Sequence, residues 1–335
     1  MAASDDRPIL ITGAAGFIGG EMARHFTASG LKVAGFDLPG RDVAHLHRAG
    51  VAFHEGDVTA RADCDRVLAA LSPRAIVHCA AAMGGSTPRE EFMRVNLGGT
   101  RTLADAAVAT GVRRFVFISS VTVHGMPPRA GITEESPRFS IGLPYADSKI
   151  ATEDHLLERQ ARGEIDLTIL RPADVYGPRS GEWVVKLVKT LLAGKMILIG
   201  GGRGLVNVTY VDNLSDAVAA SLDRPSSFGR EYLVTDGEPV TWKRYLADLA
   251  AAAGTSPPRL SIPTAVAWPL VQAMELVFPL AGRRPPLGRL GLRLLTSRSA
   301  YAIDRARREL EWAPAVDYAE GMRRVGAWIR EAMPA

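Results

Sequence analysis

Residues 9–19 read ILITGAAGFIG, an apolar run that leads directly into three glycines spaced GxxGxxG. The apolar run predicts a buried β-strand, and the glycines allow a tight turn into a helix. Free amides at the start of such a helix hold a pyrophosphate, so the strand-turn-helix context is far more specific than glycines alone. The stretch predicts a dinucleotide site that includes Gly13, Gly16, Phe17, Ile18 and Gly19.

The same alternation of short apolar runs and longer amphipathic runs continues along the first 120 residues. It predicts an α/β fold with a Rossmann-type doubly wound parallel sheet. Beyond residue 175 the pattern loosens, so we predict a catalytic NAD(P)-binding domain over residues 1–175 and a smaller substrate-binding or lid lobe over 176–335, with some segments returning to the sheet. The predicted strands are 9–12, 32–37, 52–55, 75–80, 115–119, 167–170 and 231–235, and the predicted helices are 21–29, 62–71, 95–110, 149–162, 183–193, 214–222, 242–253 and 302–310.

Further cofactor contacts follow from where polar and small residues end the predicted strands. Asp37 ends the second strand, where a carboxylate accepts hydrogen bonds from an adenosine ribose and repels a 2′-phosphate. This position favours NAD, and the nearby Arg41 leaves NADP open as the weaker alternative. The residues after the third strand are expected to contact the adenine ring, and the small residues after the fourth strand are expected to lie where the cofactor backbone passes. The residues concerned are Asp57, Val58, Ala80, Ala81 and Ala82.

Composition excludes several function classes. The chain has 40 basic and 36 acidic residues, a net charge of +4, and 47% apolar content, which is typical of a soluble globular protein and not of a nucleic-acid binder. Its two cysteines form neither a disulfide framework nor a metal-binding spacing, so we predict no metal and a reducing, cytoplasmic location. Arginines crowd the last sixth of the chain. This excess predicts a solvated face, with an anionic substrate or a membrane surface as alternatives.

Residues 262–281 form the most apolar stretch of the chain. The stretch approaches the length of a membrane span, but it contains three prolines together with Gln272 and Glu275. We therefore predict a buried or lid-forming helix and no transmembrane span. Peripheral docking at a membrane interface is the minority alternative.

Tyr145 and Lys149 are four residues apart and face the same side of a helix. A phenol ionises at about pH 10, too high for a base at neutral pH. A nearby ammonium favours the phenolate and lowers that pKa, which produces a group able to exchange a proton with an alcohol or a ketone. The pair predicts acid/base chemistry on a secondary alcohol or its ketone.

With these pieces placed, the chain resembles the extended short-chain dehydrogenase/reductase family, which includes the NAD-dependent epimerases and dehydratases. The matching segments occur in family order across roughly residues 8 to 215. They are GAAGFIG (13–19), Asp37, GDV (56–58), HCAA (78–81), VNLGGT (95–100), FISSVTVHG (117–125), YADSK (145–149), LRPADVYGP (170–178) and TYVDN (209–213).

The resemblance implies roles for particular side chains. Tyr145 would be the acid/base at the cofactor, Lys149 would lower its pKa and bond the nicotinamide ribose, and Ser120 would bond the reacting oxygen. Ser119 is the alternative serine, and His124 is interpreted as structural. The resemblance places Asn96 and Pro172 at the cofactor, and Thr122, Asp174 and Val175 at the substrate.

Two positions separate the branches of the family. Sugar-nucleotide enzymes usually carry Asn at the position of Asp174, and a carboxylate there would repel a diphosphate. They also usually carry Arg at the position of Val206. Segment 205–213 and the apolar stretch 262–295 are instead similar to the 3β-hydroxysteroid dehydrogenase-like branch. Val121 and Thr122, which stand where dehydratases often have acidic residues, argue against a dehydratase.

We therefore predict an NAD-dependent oxidoreductase that interconverts a secondary alcohol and a ketone on a hydrophobic, steroid-like or other biosynthetic substrate. The alternative is a nucleotide-sugar 4-epimerase with tightly bound NAD, and a non-catalytic cofactor-binding scaffold is the remote alternative. The resemblance also predicts a homodimer that pairs helices 95–110 and 149–162.

Overall fold

The computed structural model describes residues 6–84, 87–125, 131–280, 283, 285 and 287–333. Within these residues lie thirteen strands and thirteen α-helices. The strands are β1 Ile9–Thr12, β2 Val33–Asp37, β3 Ala52–Glu55, β4 Ala75–His78, β5 Arg114–Ile118, β6 Asp166–Pro172, β7 Asp174–Tyr176, β8 Leu198–Ile199, β9 Leu205–Val206, β10 Val208–Tyr210, β11 Arg230–Val234, β12 Val240–Thr241 and β13 Ser261–Ile262. The helices are α1 Phe17–Ala28, α2 Ala44–Arg48, α3 Arg61–Leu71, α4 Arg89–Phe92, α5 Thr100–Thr110, α6 Pro144–Ala161, α7 Lys186–Leu192, α8 Val211–Leu222, α9 Trp242–Ala252, α10 Thr264–Leu280, α11 Arg289–Thr296, α12 Asp304–Glu309 and α13 Tyr318–Ala332.

Seven strands form one parallel sheet in the order β11-β6-β5-β4-β1-β2-β3. Successive strands run outward from β1 to one edge and from β4 to the other, so the strand order reverses between β1 and β4. In open α/β sheets ligands bind outside the carboxyl ends of the strands at such a reversal. The predicted Rossmann-type fold is confirmed, and this reversal positions the site.

The strands of this sheet are buried on both faces, as the alternation of their side chains shows. Ile9 and Ile11 of β1 pack on one face with Phe26 of α1 and Leu214 of α8. Leu10, between them, packs on the other face with α3 and α5. A strand covered by helices on both sides reads as a continuous apolar run, which is why residues 9–12 could be predicted from sequence.

Most predicted elements occur within a few residues of their predicted bounds, with two informative differences. The helix predicted from residue 149 begins at Pro144, because proline is favoured in the first turn of a helix, and Tyr145 is therefore helical. The helix predicted over 95–110 is interrupted, because Met93–Gly99 form a π-helical segment before α5. Helix α13 was not predicted.

The C-terminal half combines a lobe of its own with segments that join the sheet. Strand β11 extends the sheet beside β6, and α8 packs on α1. The lobe itself surrounds Tyr176, whose ring contacts those of Tyr210, Tyr245 and Tyr318 at centroid distances of 5.4 to 6.1 Å. Two pairs of short strands, β9 with β12 and β8 with β13, complete it.

The prediction over residues 262–281 was a buried or lid-forming helix, and helix α10 corrects the first of these two alternatives. Only Ala267 and Val271 are buried, whereas Leu276, Val277 and Leu280 are 74%, 60% and 88% exposed. Apolar composition predicted burial, but one side of this helix has no element packed on it among the described residues. No described helix is long and apolar enough to cross a membrane. Arg284, part of the arginine cluster, lies outside the described residues.

Candidate functional site

The glycine turn between β1 and α1 forms a close-fitting cradle. Gly13 has a φ of +69°, and a Cβ there would meet the backbone nitrogen of Ala80 at 2.7 Å. Gly16 precedes Phe17 and Ile18 as the N-cap of α1, and no side chain caps the helix amides. These donors are free for an anionic group, which fits the pyrophosphate of a dinucleotide.

Asp37 lies at the end of β2, next to this turn. Its carboxylate accepts hydrogen bonds from the backbone nitrogens of Ala15, at 2.9 Å, and Leu38, at 2.7 Å. A carboxylate has about four lone-pair sites, so capacity remains for ribose hydroxyls. Arg41 is exposed in the following loop.

The predicted adenine and backbone contacts line the same edge of the sheet. Asp57 caps its own turn by accepting a hydrogen bond from the nitrogen of Thr59 at 2.8 Å, and Val58 is buried. Residues 80–82 are partly exposed, and the nitrogen of Ala80 donates to the Thr12 hydroxyl at 3.2 Å. The structure thus brings the predicted cofactor residues of β1 to β4 together along one groove edge.

Tyr145 and Ser120 meet at the carboxyl end of β5. Burial raises the pKa of Tyr145 to about 12, and a side-chain hydrogen bond with Ser120 opposes that rise. The Thr122 hydroxyl donates to the Ser120 hydroxyl at 3.0 Å, so three hydroxyl groups form a chain. Such a chain can bond a substrate oxygen and pass a proton to or from it.

Lys149 lies one helical turn after Tyr145. Its Nζ donates to the carbonyl oxygen of Ile118 at 2.8 Å and lies 5.8 Å from the centre of the Tyr145 ring. Burial lowers the pKa of Lys149 to about 8. The sequence predicted a lowered pKa for Tyr145, whereas here burial raises that pKa and outweighs the opposing hydrogen bond with Ser120.

The two candidate serines have different surroundings. Ser119 is buried without a hydrogen-bond partner of good geometry among the described residues, and it helps to lower the pKa of Glu153. Ser120 contacts the Tyr145 hydroxyl instead. This arrangement favours Ser120 as the serine that faces a substrate.

Glu153 and Arg171 form a buried ion pair below the three hydroxyl groups, and sequence reasoning missed it. Arg171 donates to both carboxylate oxygens of Glu153, at 2.9 and 2.7 Å. Burial alone would raise the pKa of Glu153, but the charge and hydrogen bonds of Arg171 outweigh it and hold that pKa below its usual value. The signal was present in the sequence, because Glu153 follows Lys149 by four residues and faces the same side of α6.

Asn96 belongs to the π-helical segment, a form that is frequent at functional sites. Its Oδ1 accepts a hydrogen bond from the nitrogen of Ala82 at 2.7 Å, and its Nδ2 donates to the Ser148 hydroxyl at 2.9 Å. Asn96 therefore connects the loop after β4 to the helix that carries Tyr145. The sequence predicted Asn96 to lie at the cofactor, and the structure shows that its side chain links these two segments by hydrogen bonds.

The remaining predicted site residues fall into two groups. Pro172 ends β6 opposite Val234, and Asp174 follows in β7, where burial raises the pKa of its carboxyl to about 7. Val175 and Val206 are instead buried in hydrophobic cores, so their side chains are packed against protein rather than presented to a substrate.

An apolar cluster next to Ser120 was also missed by sequence reasoning. Val121, Ile132, Leu233 and Tyr301 pack together, and Ile132 and Tyr301 form an isolated parallel bridge. These residues come from four distant segments, so no local pattern in the sequence could indicate the cluster.

His78, Cys79 and His124 occupy interior positions. His78 bonds the hydroxyl groups of Thr12 and Thr100 at 2.7 and 2.9 Å, and burial lowers its pKa to about 3. Burial raises the pKa of the Cys79 thiol to about 12. The Nε2 atom of His124 lies 3.4 Å from Nη1 of Arg171, and the pKa of His124 is lowered by burial and by the charge of Arg171. In the described part of the chain, no group of three or more His, Cys, Asp or Glu side chains could hold a metal.

The fold and the site define a dinucleotide-dependent enzyme with a Rossmann sheet. A family model described as the NAD dependent epimerase/dehydratase family matches residues 9–234, and the chain belongs to this family. The extended short-chain dehydrogenase/reductase resemblance, the enzyme class and NAD as cofactor are thereby confirmed. When bound, NAD supplies the hydride acceptor, and the glycine turn and Asp37 are the residues that fit it.

Similar proteins of known activity cover nearly the whole chain. A 2-alkyl-3-oxoalkanoate reductase of Stenotrophomonas maltophilia is 29% identical and matches 95% of this chain and 98% of its own length. The human decarboxylating sterol-4-alpha-carboxylate 3-dehydrogenase is 29% identical, with 94% and 86% covered. The UDP-glucose 4-epimerase structure from Thermotoga maritima matches with a TM-score of 0.79 at 22% identity, with 97% and 99% covered, and shows the shared fold. Sterol dehydrogenases among the relatives agree with the predicted 3β-hydroxysteroid dehydrogenase-like branch.

Proposed function

We propose that this protein interconverts a secondary alcohol and its ketone on a hydrophobic substrate, with Tyr145 as the acid/base. The single observation that carries the proposal is the contact between the hydroxyl groups of Ser120 and Tyr145 at the carboxyl end of β5. The hydroxyl groups would bond a reacting oxygen, and the names of two relatives support a hydrophobic carbon skeleton.

The residues would act in a definite order during oxidation. In its ionised form Tyr145 would take the proton of the substrate hydroxyl, and bound NAD would supply the acceptor for the hydride of the carbinol carbon. Ser120 would stabilise the charge that develops on the oxygen, and Thr122 would orient Ser120 through the 3.0 Å hydrogen bond. In the reverse direction Tyr145 would return the proton to the oxygen of the ketone.

The names of two relatives support a narrower substrate class. A 2-alkyl-3-oxoalkanoate is a 3-oxo acid, and a sterol 4α-carboxylate with a 3-hydroxyl group is a 3-hydroxy acid. In both, the carboxylate is attached to the carbon next to the reacting one, on a hydrophobic skeleton. We therefore propose a hydrophobic 3-hydroxy acid or 3-oxo acid, sterol-like or long-chain, as the substrate of this chain.

A nucleotide-sugar 4-epimerase is the second candidate. It is supported by a UDP-glucose 4-epimerase of Vibrio cholerae, which is 27% identical over 95% of this chain. Asp174 argues against it, because it stands at the position where sugar-nucleotide enzymes usually carry an Asn. An epimerase would retain NAD through purification and produce no net NADH.

NADH formation tests the proposal. Purified protein is offered NAD with 3-hydroxysteroid acids, long-chain 3-hydroxy acids, simple secondary alcohols and UDP-sugars. We expect NADH from the hydrophobic 3-hydroxy acids and at least a ~100-fold lower kcat for Tyr145→Phe. Fluorescence titration should show nearly unchanged NADH binding to that variant, which separates lost chemistry from lost folding.

Two outcomes would overturn this function. UDP-sugar interconversion without net NADH would establish the epimerase. Undiminished turnover by Tyr145→Phe would remove Tyr145 from the acid/base role. NADH binding with no turnover of any substrate class would instead favour the remote alternative of a non-catalytic scaffold.

We also propose a homodimer that pairs the helices around α5 and α6. Val108 on α5 is an exposed apolar residue at 39%, and a groove lined by Arg89, Met93, Leu97 and Arg101 lies at the start of the same helical region. Sedimentation of the wild type and of Val108→Glu tests this assignment, and a monomeric wild type would refute it.

A further inference from the structure

Helix α10 presents an uncharged face to solvent. Ten of its seventeen residues are exposed, and Gln272 is the one polar residue among them. Leu270, Leu276, Val277 and Leu280 are 45% to 88% exposed. A contiguous apolar face on a protein surface marks an interaction site.

Helix α13 shows what an ordinary surface helix of this protein looks like. Six of its residues are exposed, and three of these, Arg323, Arg330 and Glu331, are charged. The exposed side of α10 has no charge at all. Both helices pack one side on the same lobe, so they differ in the residues of their exposed sides and not in being surface helices.

The buried side of α10 is firmly attached. Ala267 and Val271 pack against Ile199 of β8 and Leu292 of α11. Glu275, the single acidic residue of α10, pairs with Arg289 at 2.6 Å, and the nitrogen of Arg289 donates to the same carboxylate at 2.8 Å. These contacts hold α10 and α11 together and neutralise the one negative charge.

The surrounding segment is strongly basic. Residues 255–303 contain six arginines and one acidic residue. Arg283 lies three residues after the end of α10 and Arg293 belongs to α11, and both are exposed without an ion pair among the described residues. Since Arg289 already neutralises Glu275, Arg283 and Arg293 are available to an anionic partner.

We propose that α10 docks in the plane of an anionic phospholipid membrane. Its apolar face would enter the boundary between headgroups and acyl chains, and Arg283 and Arg293 would contact lipid phosphates. An uncharged apolar helix face combined with basic residues is the pattern of interfacial helices.

Charge favours a membrane over a second copy of the chain. A two-fold interface sets the same face of both copies against itself, so it would bring the arginines around α10 toward their own equivalents. An anionic lipid surface instead attracts each of them. Docking needs no particular substrate, so it can be tested apart from the proposed function.

Vesicle flotation of the full chain tests the proposal. The vesicles are phosphatidylcholine alone or phosphatidylcholine with about a quarter phosphatidylglycerol. We expect binding to the anionic vesicles that falls several-fold when salt rises from about 0.1 M to about 0.5 M. Leu276→Glu combined with Leu280→Glu should reduce binding at least ~tenfold, and Arg283→Glu combined with Arg293→Glu should reduce it on anionic vesicles only.

Matched variants elsewhere complete the experiment. Leu192→Glu replaces a leucine that is 46% exposed on α7, and Arg330→Glu reverses an exposed charge on α13. Both should bind vesicles as the wild type does, and thermal unfolding verifies that every variant is folded. Equal binding to both vesicle types, or equal losses in test and control variants, would overturn the proposal. So would a wild type that ignores vesicles but self-associates, with self-association lost in Leu276→Glu and Leu280→Glu.

Discussion

Two regions of the molecule differ in which side chains they bury: the region beneath the carboxyl ends of the sheet strands buries charged side chains, and the outer side of α10 exposes apolar ones. Below the sheet edge, the charges of Glu153 and Arg171 are buried and paired with each other. On α10, Leu276 and Leu280 are apolar and face solvent. Buried charges require partners, so the Glu153–Arg171 region is held by its own contacts. The exposed apolar side of α10 has no such requirement and is free to bind a partner.

The largest effect should come from removing one partner of the buried pair. Arg171→Met leaves the carboxylate of Glu153 in the interior with Arg138, at 3.0 Å, as its remaining ion-pair partner among the described residues. Breaking a buried pair costs about 3–5 kcal/mol, so the free energy of unfolding measured with urea should fall by that amount. Arg171→Met with Glu153→Leu should recover much of the loss. A single variant as stable as the wild type would show that this pair does not hold the sheet edge.

The next largest effect should come from the glycine turn. Gly13→Ala forces an alanine to a φ of +69° and drives its Cβ against Ala80, so we expect a loss of about 1–3 kcal/mol and greatly weakened NAD binding. Gly30→Ala is the matched control, because Gly30 has a φ of +82° and no neighbour within 4 Å. It should lose stability from strain alone and bind NAD normally in calorimetry. Equal NAD affinity in both variants would place the cofactor elsewhere.

A smaller, pH-dependent effect should come from Asp174. Burial raises the pKa of its carboxyl to about 7, above the value of about 3.9 in an unfolded chain. The folded state therefore holds this proton more tightly, and the stabilisation present at pH 4 is lost as the pH rises through 7. Asp174→Asn should remove about 1–3 kcal/mol of this decline between pH 4 and pH 8 in urea unfolding. An unchanged slope would show that the carboxyl is solvated.

The smallest effect should come from the exposed face of α10. Leu280→Ser should change the free energy of unfolding by less than about 0.5 kcal/mol, because this side chain is already in water. Val271→Ser, on the buried side of the same helix, should lose about 2 kcal/mol. If the two serine variants lost equal stability in thermal unfolding, the face around Leu280 would be covered in solution.

Prediction from the sequence succeeded where a residue's surroundings are local. The apolar run of β1, the glycine turn and the placement of Asp37 all follow from neighbouring residues, and the structure has them where they were expected. It failed for α10, because apolar composition predicts that a helix buries some face but not that another element is present to cover every face. It also missed α13 and the Glu153–Arg171 pair, whose partners are separated by 18 positions along the chain.

The site shows the same division. Tyr145 and Lys149 could be paired from their spacing, and Ser120 could be placed from the segment around it. The direction of the Tyr145 pKa could not be predicted, because it depends on burial, which only the packed structure sets, and on the hydrogen bond with Ser120 that opposes it.

The sequence by itself determined the Rossmann fold, because strand periodicity and the glycine turn are written in consecutive residues, and through Asp37 it favoured NAD as the cofactor. Only the tertiary structure decided which apolar side chains gather next to Ser120 and which side of α10 stays in water. Those outcomes depend on contacts between distant segments, and burial, which sets the cost of a charge and the value of an apolar surface, exists only once those segments have packed.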